Sequence, residues 1–210
     1  MNKTVELVNE WGEFEVRHPN ASIDDFCRHY LASHQQQKVT GPLTGGVVPP
    51  TSEGLMLKLI GRIHKLNMSY ANSALEGTGV NQVEEFGLLL TVQQEGNPRK
   101  TDIIYANLFE LSSGTDMLNR LKKRGLITEY DDTDDKRSKR IELTKAGGKA
   151  IELCMLRMRK VSGMMTADLD EDDKQLCIQL LKNIEIKFSG FWQQHKGKPF
   201  DEVYDSIMNN

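Results

Sequence analysis

Apolar residues recur along most of this 210-residue chain at intervals of three and four, the spacing that lines one face of an α-helix. Over 2–17, Val5, Leu7, Val8, Trp11 and Phe14 follow that spacing until Pro19 stops the run. Ser22 then stands as an N-cap with Asp25 three residues on, and Ile23, Phe26, Cys27, Tyr30 and Leu31 form the apolar face of a second helix ahead of the polar run SHQQQK. The stretch 39–51, VTGPLTGGVVPPT, breaks the periodicity with Gly, Pro and Thr and reads as a linker or extended arm. From Ser52, Leu55, Leu59, Ile63 and Leu66 mark a long one-faced helix that ends near Gly77 and Gly79. Two shorter helices are expected next. The first, 81–94, turns Val83, Phe86, Leu89 and Leu90 inward and closes at Gly96-Asn97-Pro98; the second, 100–108, does so with Ile103, Ile104 and Leu108.

The pattern changes over 111–147. Met117, Leu118 and Leu121 form a stripe that must face a core, with Ser112 and Ser113 expected to cap the start of the helix and Gly125 to end it. The other face is polar and carries Thr115, Asp116, Asn119, Arg120 and Lys123. Residues 126–130 and 140–144 then read as two strands, the second with Ile141 and Leu143 inward, pairing as a hairpin. The connection between them, DDTDDKRSK, is too polar to be buried and should protrude. A helix with a polar face joined to a hairpin with a basic tip is the organisation of a winged helix-turn-helix. In that organisation the helix enters the DNA major groove and the wing reaches the minor groove or backbone.

Two more helices are expected at 145–165 and 171–194. Ile151, Cys154, Met155, Met158 and Val161 line the first, and Leu176, Leu180, Ile184, Phe188, Phe191 and Trp192 line the second. A small winged domain has too little surface to cover faces this long, so they imply a homodimer. The expected fold class is mostly α with a small β-hairpin wing, a winged helix-turn-helix flanked by long dimerisation helices. The division is a helical extension over 1–38, a Gly/Pro-rich linker or arm over 39–52, dimerisation helices over 53–80 and 145–194, the DNA-binding domain over 81–144, and a tail over 195–210.

Asp135, Arg137, Leu143, Thr144 and Gly147 make D-x-R, five residues, L-T-x-x-G in the strand-loop-strand context. This resembles the wing signature of the MarR family, the multiple antibiotic resistance regulators. The resemblance implies a dimer whose terminal helices interdigitate about a two-fold axis and which presents two recognition helices about one DNA turn apart. It implies that Arg137 sits at the wing tip and enters a narrow minor groove. It also implies a small aromatic or phenolic effector in the crevice between the dimerisation helices and the winged domain. The candidate walls of that pocket are His64, Asn67 and Met68 on one helix and Met155, Met158 and Met164 on another. The first 50 or so residues lie outside the resemblance. An arm packing on a dimer partner is the reading preferred for them.

Charge refines the expected DNA contacts. The formal net charge is −3, so the chain as a whole does not advertise nucleic acid, but Lys122 to Arg124 and Lys136 to Arg140 form two basic clusters. Lys122, Lys123, Lys136 and Lys139 are expected on phosphates, where they release counterions without reading sequence. Thr115 and Asn119 can read base edges, while Ser112, Ser113 and the small Gly114 let the end of the helix approach the backbone. Asp135 is expected to hold the wing's shape through hydrogen bonds. Asp116 departs from the cation common in relatives, and either accepts from cytosine or is neutralised by Arg120 at i+4. Asp131, Asp132, Asp134 and Asp135 are expected to dilute the wing's positive field.

Other chemistries find little footing. Cys27, Cys154 and Cys177 form no C-x-x-C and are an odd number, which favours a reducing cytoplasm; Cys154 and Cys177 are expected to be buried and inert. No signal sequence or membrane-spanning run is apparent. His29 and His34 are five apart and so do not share a helical face, and no metal or other cofactor is expected. There is no G-x-S-x-G, P-loop or G-x-G-x-x-G, so no enzyme is expected. The functional expectation is therefore a sequence-specific regulator, a repressor before an activator, bound to a double-stranded DNA operator. The alternative is a winged-helix protein-interaction module in which Asp116 and the acidic wing have replaced groove cations.

Overall fold

The computed structural model describes residues 2–34, 46–135 and 137–209, and the chain divides into two compact units, 1–55 and 56–210. In the first unit, α1 (Lys3–Arg17) and α2 (Ile23–His34) form a helical hairpin. Ser22 and Asp25 cap α2 reciprocally: the Ser22 amide donates to Asp25 Oδ2 at 2.9 Å and the Asp25 amide donates to Ser22 Oγ at 3.2 Å. Phe14 and Phe26 are the buried residues of this hairpin, and Trp11 meets Phe26 edge-on at 5.1 Å between ring centroids. Most of the expected linker, 35–45, lies outside the described residues.

α3 (Ser52–Ala74) leads into the second unit, where α4 (Val83–Glu95), α5 (Lys100–Ala106) and α6 (Leu111–Lys123) surround a common core. β1 (Ile127–Asp131) and β2 (Lys139–Leu143) pair antiparallel with Ile127 opposite Leu143 and Asp131 opposite Lys139. α7 (Lys145–Met165) closes the core with Ile151 and Cys154, both fully buried beside Leu75, Leu89 and Leu121. Burial of such side chains contributes roughly 1.5–3 kcal/mol each. α8 (Glu171–His195) has no buried residue, and α9 (Phe200–Met208) is a helix in the segment read from sequence as a tail. Among the described residues no helix is long and apolar enough to cross a membrane.

Several local expectations need correction. Ser112 and Ser113 do not cap α6, which starts one residue earlier behind Glu110, a residue in extended conformation whose side chain makes no cap bond. The cause lies upstream. Leu108, expected inside a helix, takes φ 57°, and the Leu108 and Phe109 amides donate to Tyr105 O and Ile104 O at 3.0 and 3.1 Å. This left-handed turn ends α5 early and lets α6 begin before its serines. Gly125 does end α6 at φ 72°, with the Leu126 amide donating to Leu121 O at 3.1 Å. Thr144, expected in the second strand, is the N-cap of α7, its hydroxyl accepting from the Gly147 amide at 3.0 Å. Cys177 is exposed on α8, whereas Cys154 is buried and burial pushes its thiol above the ordinary range.

Candidate nucleic-acid interface

The polar face of α6 exists because its other face is fully consumed. Met117, Leu118 and Leu121 are buried, and Gly114 is buried against α5 so closely that an added Cβ would lie 2.6 Å from Ile104. The small size of Gly114 therefore serves packing between the two helices, not an approach to DNA as read from sequence. Ser112, Ser113, Asp116, Asn119 and Lys123 are exposed, and Thr115 is half-buried. Arg120 does not neutralise Asp116. Its Nε donates to Glu85 Oε1 at 3.2 Å, across from α4. Lys122 lies 2.7 Å from Glu129 of β1, which also takes Lys100 at 3.2 Å; pairing with Lys122 foremost holds the Glu129 carboxyl below its ordinary range against a lesser opposing effect of burial.

The wing is built on a residue that sequence reading treated only as a diluting charge. Asp132 is buried at the end of the hairpin, where Oδ1 accepts from the amides of Asp134 and Asp135 at 2.8 and 3.2 Å. Its Oδ2 lies 2.9 Å from both Arg99 and Arg140. The Asp134 amide first, then Arg99 and the Asp135 amide, hold its carboxyl down to about 2 against the opposing effect of burial. Arg140 also donates to Asn97 O at 2.7 Å, and the Ile141 amide donates to Pro98 O at 3.0 Å. The hairpin is thereby fastened to the loop that starts α5. The sequence signal was present in the Asx-turn character of an aspartate followed by Thr133-Asp134, but nothing local shows that the carboxylate turns inward.

Asp135 accepts from the Arg137 amide at 3.1 Å and from Ser138 Oγ at 2.9 Å, and these two bonds, the amide foremost, lower its carboxyl below the usual range. The Arg137 side chain is 95% exposed and stands 3.7 Å from Asp135. Lys139 is paired with Asp131, its partner across the hairpin. Lys136 lies outside the described residues. Of the expected cations, Lys123 and Arg137 thus project most freely, while Lys122 and Lys139 share their charge with neighbouring carboxylates.

The expected effector residues fall into separate places. His64 and Asn67 line a cleft of about 390 Å³ with Ile60 and Ile63 of α3, Met165 of α7 and Leu181 of α8. Met155 and Met158 instead line a shallower groove of about 210 Å³ with Phe86 and Leu90. Met68 lines neither. Among the described residues no group of three His, Cys, Asp or Glu side chains is placed to hold a metal ion.

The fold is the MarR-type winged helix-turn-helix. No family model matches the sequence, and no curated protein matches it, so the likeness rests on solved structures. A mutant of MarR from E. coli, solved complexed with operator DNA, superposes with a TM-score of 0.58 at 21% identity, over 61% of this chain and 92% of that one. BpsR of Bordetella bronchiseptica, described with a mechanism for regulation of its DNA binding by 6-hydroxynicotinic acid, gives 0.57 at 17% identity over 62% and 98%. The PcaV transcriptional regulator of Streptomyces coelicolor in complex with its natural ligand gives 0.57 at 18% identity over 68% and 97%.

Proposed function

We propose that this chain is a double-stranded DNA-binding transcriptional regulator that acts as a homodimer and represses by occupying its operator. The observation that carries the reading is the pairing of two projections on one rigid unit: the exposed face of α6 and a wing whose Arg137 points into solvent from a base clamped by Asp132. Thr115, Asp116 and Asn119 read base edges in the major groove with Ser112 and Ser113 at the near end of the helix, Lys123 and Lys139 with Lys136 meet phosphates, and Arg137 enters the minor groove. The E. coli MarR mutant of similar fold, solved complexed with operator DNA, supports a DNA-binding role for this fold.

Dimerisation rests on α8. Ile178, Leu180, Leu181, Ile184, Phe188 and Trp192 are all exposed on a 25-residue helix with nothing buried. A helix so composed needs an apolar partner to be stable. The cleft at His64 and Asn67 is the proposed effector site, its apolar walls and single imidazole suiting a small aromatic anion; BpsR and PcaV, both described with small molecules, support a ligand at this fold.

The test is fluorescence anisotropy on a labelled duplex taken from upstream of the gene, beside a scrambled duplex, across several salt concentrations. Tight binding to the upstream duplex, falling steeply with salt and weakened by Arg137→Ala and Lys123→Ala, is expected. Salt-independent binding, or none at low salt, would refute the DNA reading and favour a winged domain whose acidic substitutions face another protein.

A further inference from the structure

Arg120 belongs by sequence to the polar face of α6, between Asn119 and Lys123, where a free guanidinium would reach guanine or phosphate. The structure turns it the other way. Its Nε donates to Glu85 Oε1 at 3.2 Å and its Nη2 to Gln82 Oε1 at 3.5 Å, both on the first turn of α4 or just before it. Glu85 is a fully buried carboxylate with every approach taken. Its Oε2 accepts from the Asn81 amide at 3.0 Å and lies 2.6 Å from the Arg124 guanidinium. Arg124 in turn donates to Gly79 O at 2.9 Å and to Arg120 O at 3.2 Å. The start of α4 and the last turns of α6 are thus closed around one negative charge, and either arginine that left it would cost a buried carboxylate one of its two cationic partners.

From this arrangement, and resting on the DNA-binding role proposed above, we infer that Glu85 is a positioning and specificity-determining residue. It fixes the pose of α6 from α4 and withholds Arg120 from the groove. The face offered to DNA is then Thr115, Asp116, Asn119 and Lys123, a nearly neutral set, and Asp116 is not paired with its i+4 neighbour Arg120, which is engaged by Glu85. The Arg120 side chain is still half exposed, so removal of the Glu85 charge frees it by rotation of the side chain alone. Release of one arginine then adds one cation to the DNA face and changes which sequences are preferred.

The experiment has two arms on the full chain. The first needs no DNA: NMR of the arginine Nε–H signals, with Arg120 assigned from the spectrum of Arg120→Ala. Slow exchange of this proton in the wild type and fast exchange in Glu85→Gln are expected; fast exchange in the wild type overturns the inference whatever the DNA result. The second arm measures the salt dependence of affinity for a labelled duplex of mixed sequence. Arg120→Ala in the wild-type background should leave the log–log slope unchanged. The same change made in Glu85→Gln should lower it by about 0.9, the loss of one phosphate contact. A fall of about 0.9 in the wild-type background, as expected for Lys123→Ala, overturns the inference. If Glu85→Gln does not fold, the comparison of Arg120→Ala with wild type decides alone. Slow exchange in a wild type that binds no duplex would support the clamp while removing the DNA reading, so the two fail separately.

Discussion

Gly147 closes the wing signature, and the structure gives its physical reason: a Cβ at this position would lie 2.1 Å from the Leu126 carbonyl oxygen and 3.1 Å from Leu143 Cδ2. The obstacle is backbone, already fixed by two bonds from Thr144, whose amide and hydroxyl each donate to that oxygen at 3.1 Å. Gly147→Ala must therefore push the start of α7 about 1.4 Å off the hairpin, the difference between that 2.1 Å approach and the contact distance of about 3.5 Å. The shift strains or breaks the Thr144 cap, about 1 kcal/mol, and one further hydrogen bond, about 1 kcal/mol. Overpacking adds roughly 1–3 kcal/mol, and the better helix propensity of alanine returns about 1 kcal/mol. The expected net loss is about 2–4 kcal/mol. Gly148→Ala is the internal control, because its Cβ would meet nothing within 4 Å; it should be neutral or stabilising by up to about 1 kcal/mol. Urea unfolding followed by circular dichroism at constant protein concentration measures both. Equal stability of the two variants, within about 0.5 kcal/mol, would refute the steric argument.

Acid sensitivity should trace to Asp132, whose carboxyl is depressed from 3.8 to about 2, so its contribution is complete above pH 3.8 and lost as pH falls toward 2. Asp132→Asn should be less stable at neutral pH and show a flatter stability profile between those values; profiles that run parallel to wild type contradict the clamp. On α8, Phe188→Asp should shift the protein to monomer in sedimentation velocity and lower its helix content, because Phe188 is 51% exposed in the single chain and α8 loses its apolar cover. A variant that stays dimeric would remove α8 from the interface. With a thiol reagent, Cys27 should react in the native protein and Cys154 only on unfolding; rapid labelling of Cys154 would contradict its burial.

The helices and the hairpin were legible because local periodicity and turn residues announce them: the stripe of Met117, Leu118 and Leu121 could only face inward, and Gly125 could only end a helix. The serine caps were misread because the start of α6 is set by Leu108, a non-glycine residue in the left-handed region, which no propensity argument suggests. The candidate interface was legible as a region but not in its charges. Which cations remain free depends on carboxylates brought to them by the fold, Glu85 for Arg120 and Asp132 for Arg99 from more than thirty residues away, and Glu129 for Lys122 and Asp132 for Arg140 around the hairpin. Those pairings are tertiary, so the sequence shows both partners without showing that they meet. The same holds for the pocket, where His64 and Met155, expected as facing walls of one crevice, line separate grooves.

In the proposed dimer, two copies of α6 and its wing address one DNA site together. This is tested most directly by selecting duplexes from a random pool with the purified protein and mapping the enriched sequence by hydroxyl-radical footprinting. An inverted repeat is expected, with half-site centres about one helical turn, roughly 10 base pairs, apart and with minor-groove protection outside each half-site that Arg137→Ala removes. No enrichment, or an enriched single half-site with no two-fold symmetry, would contradict it.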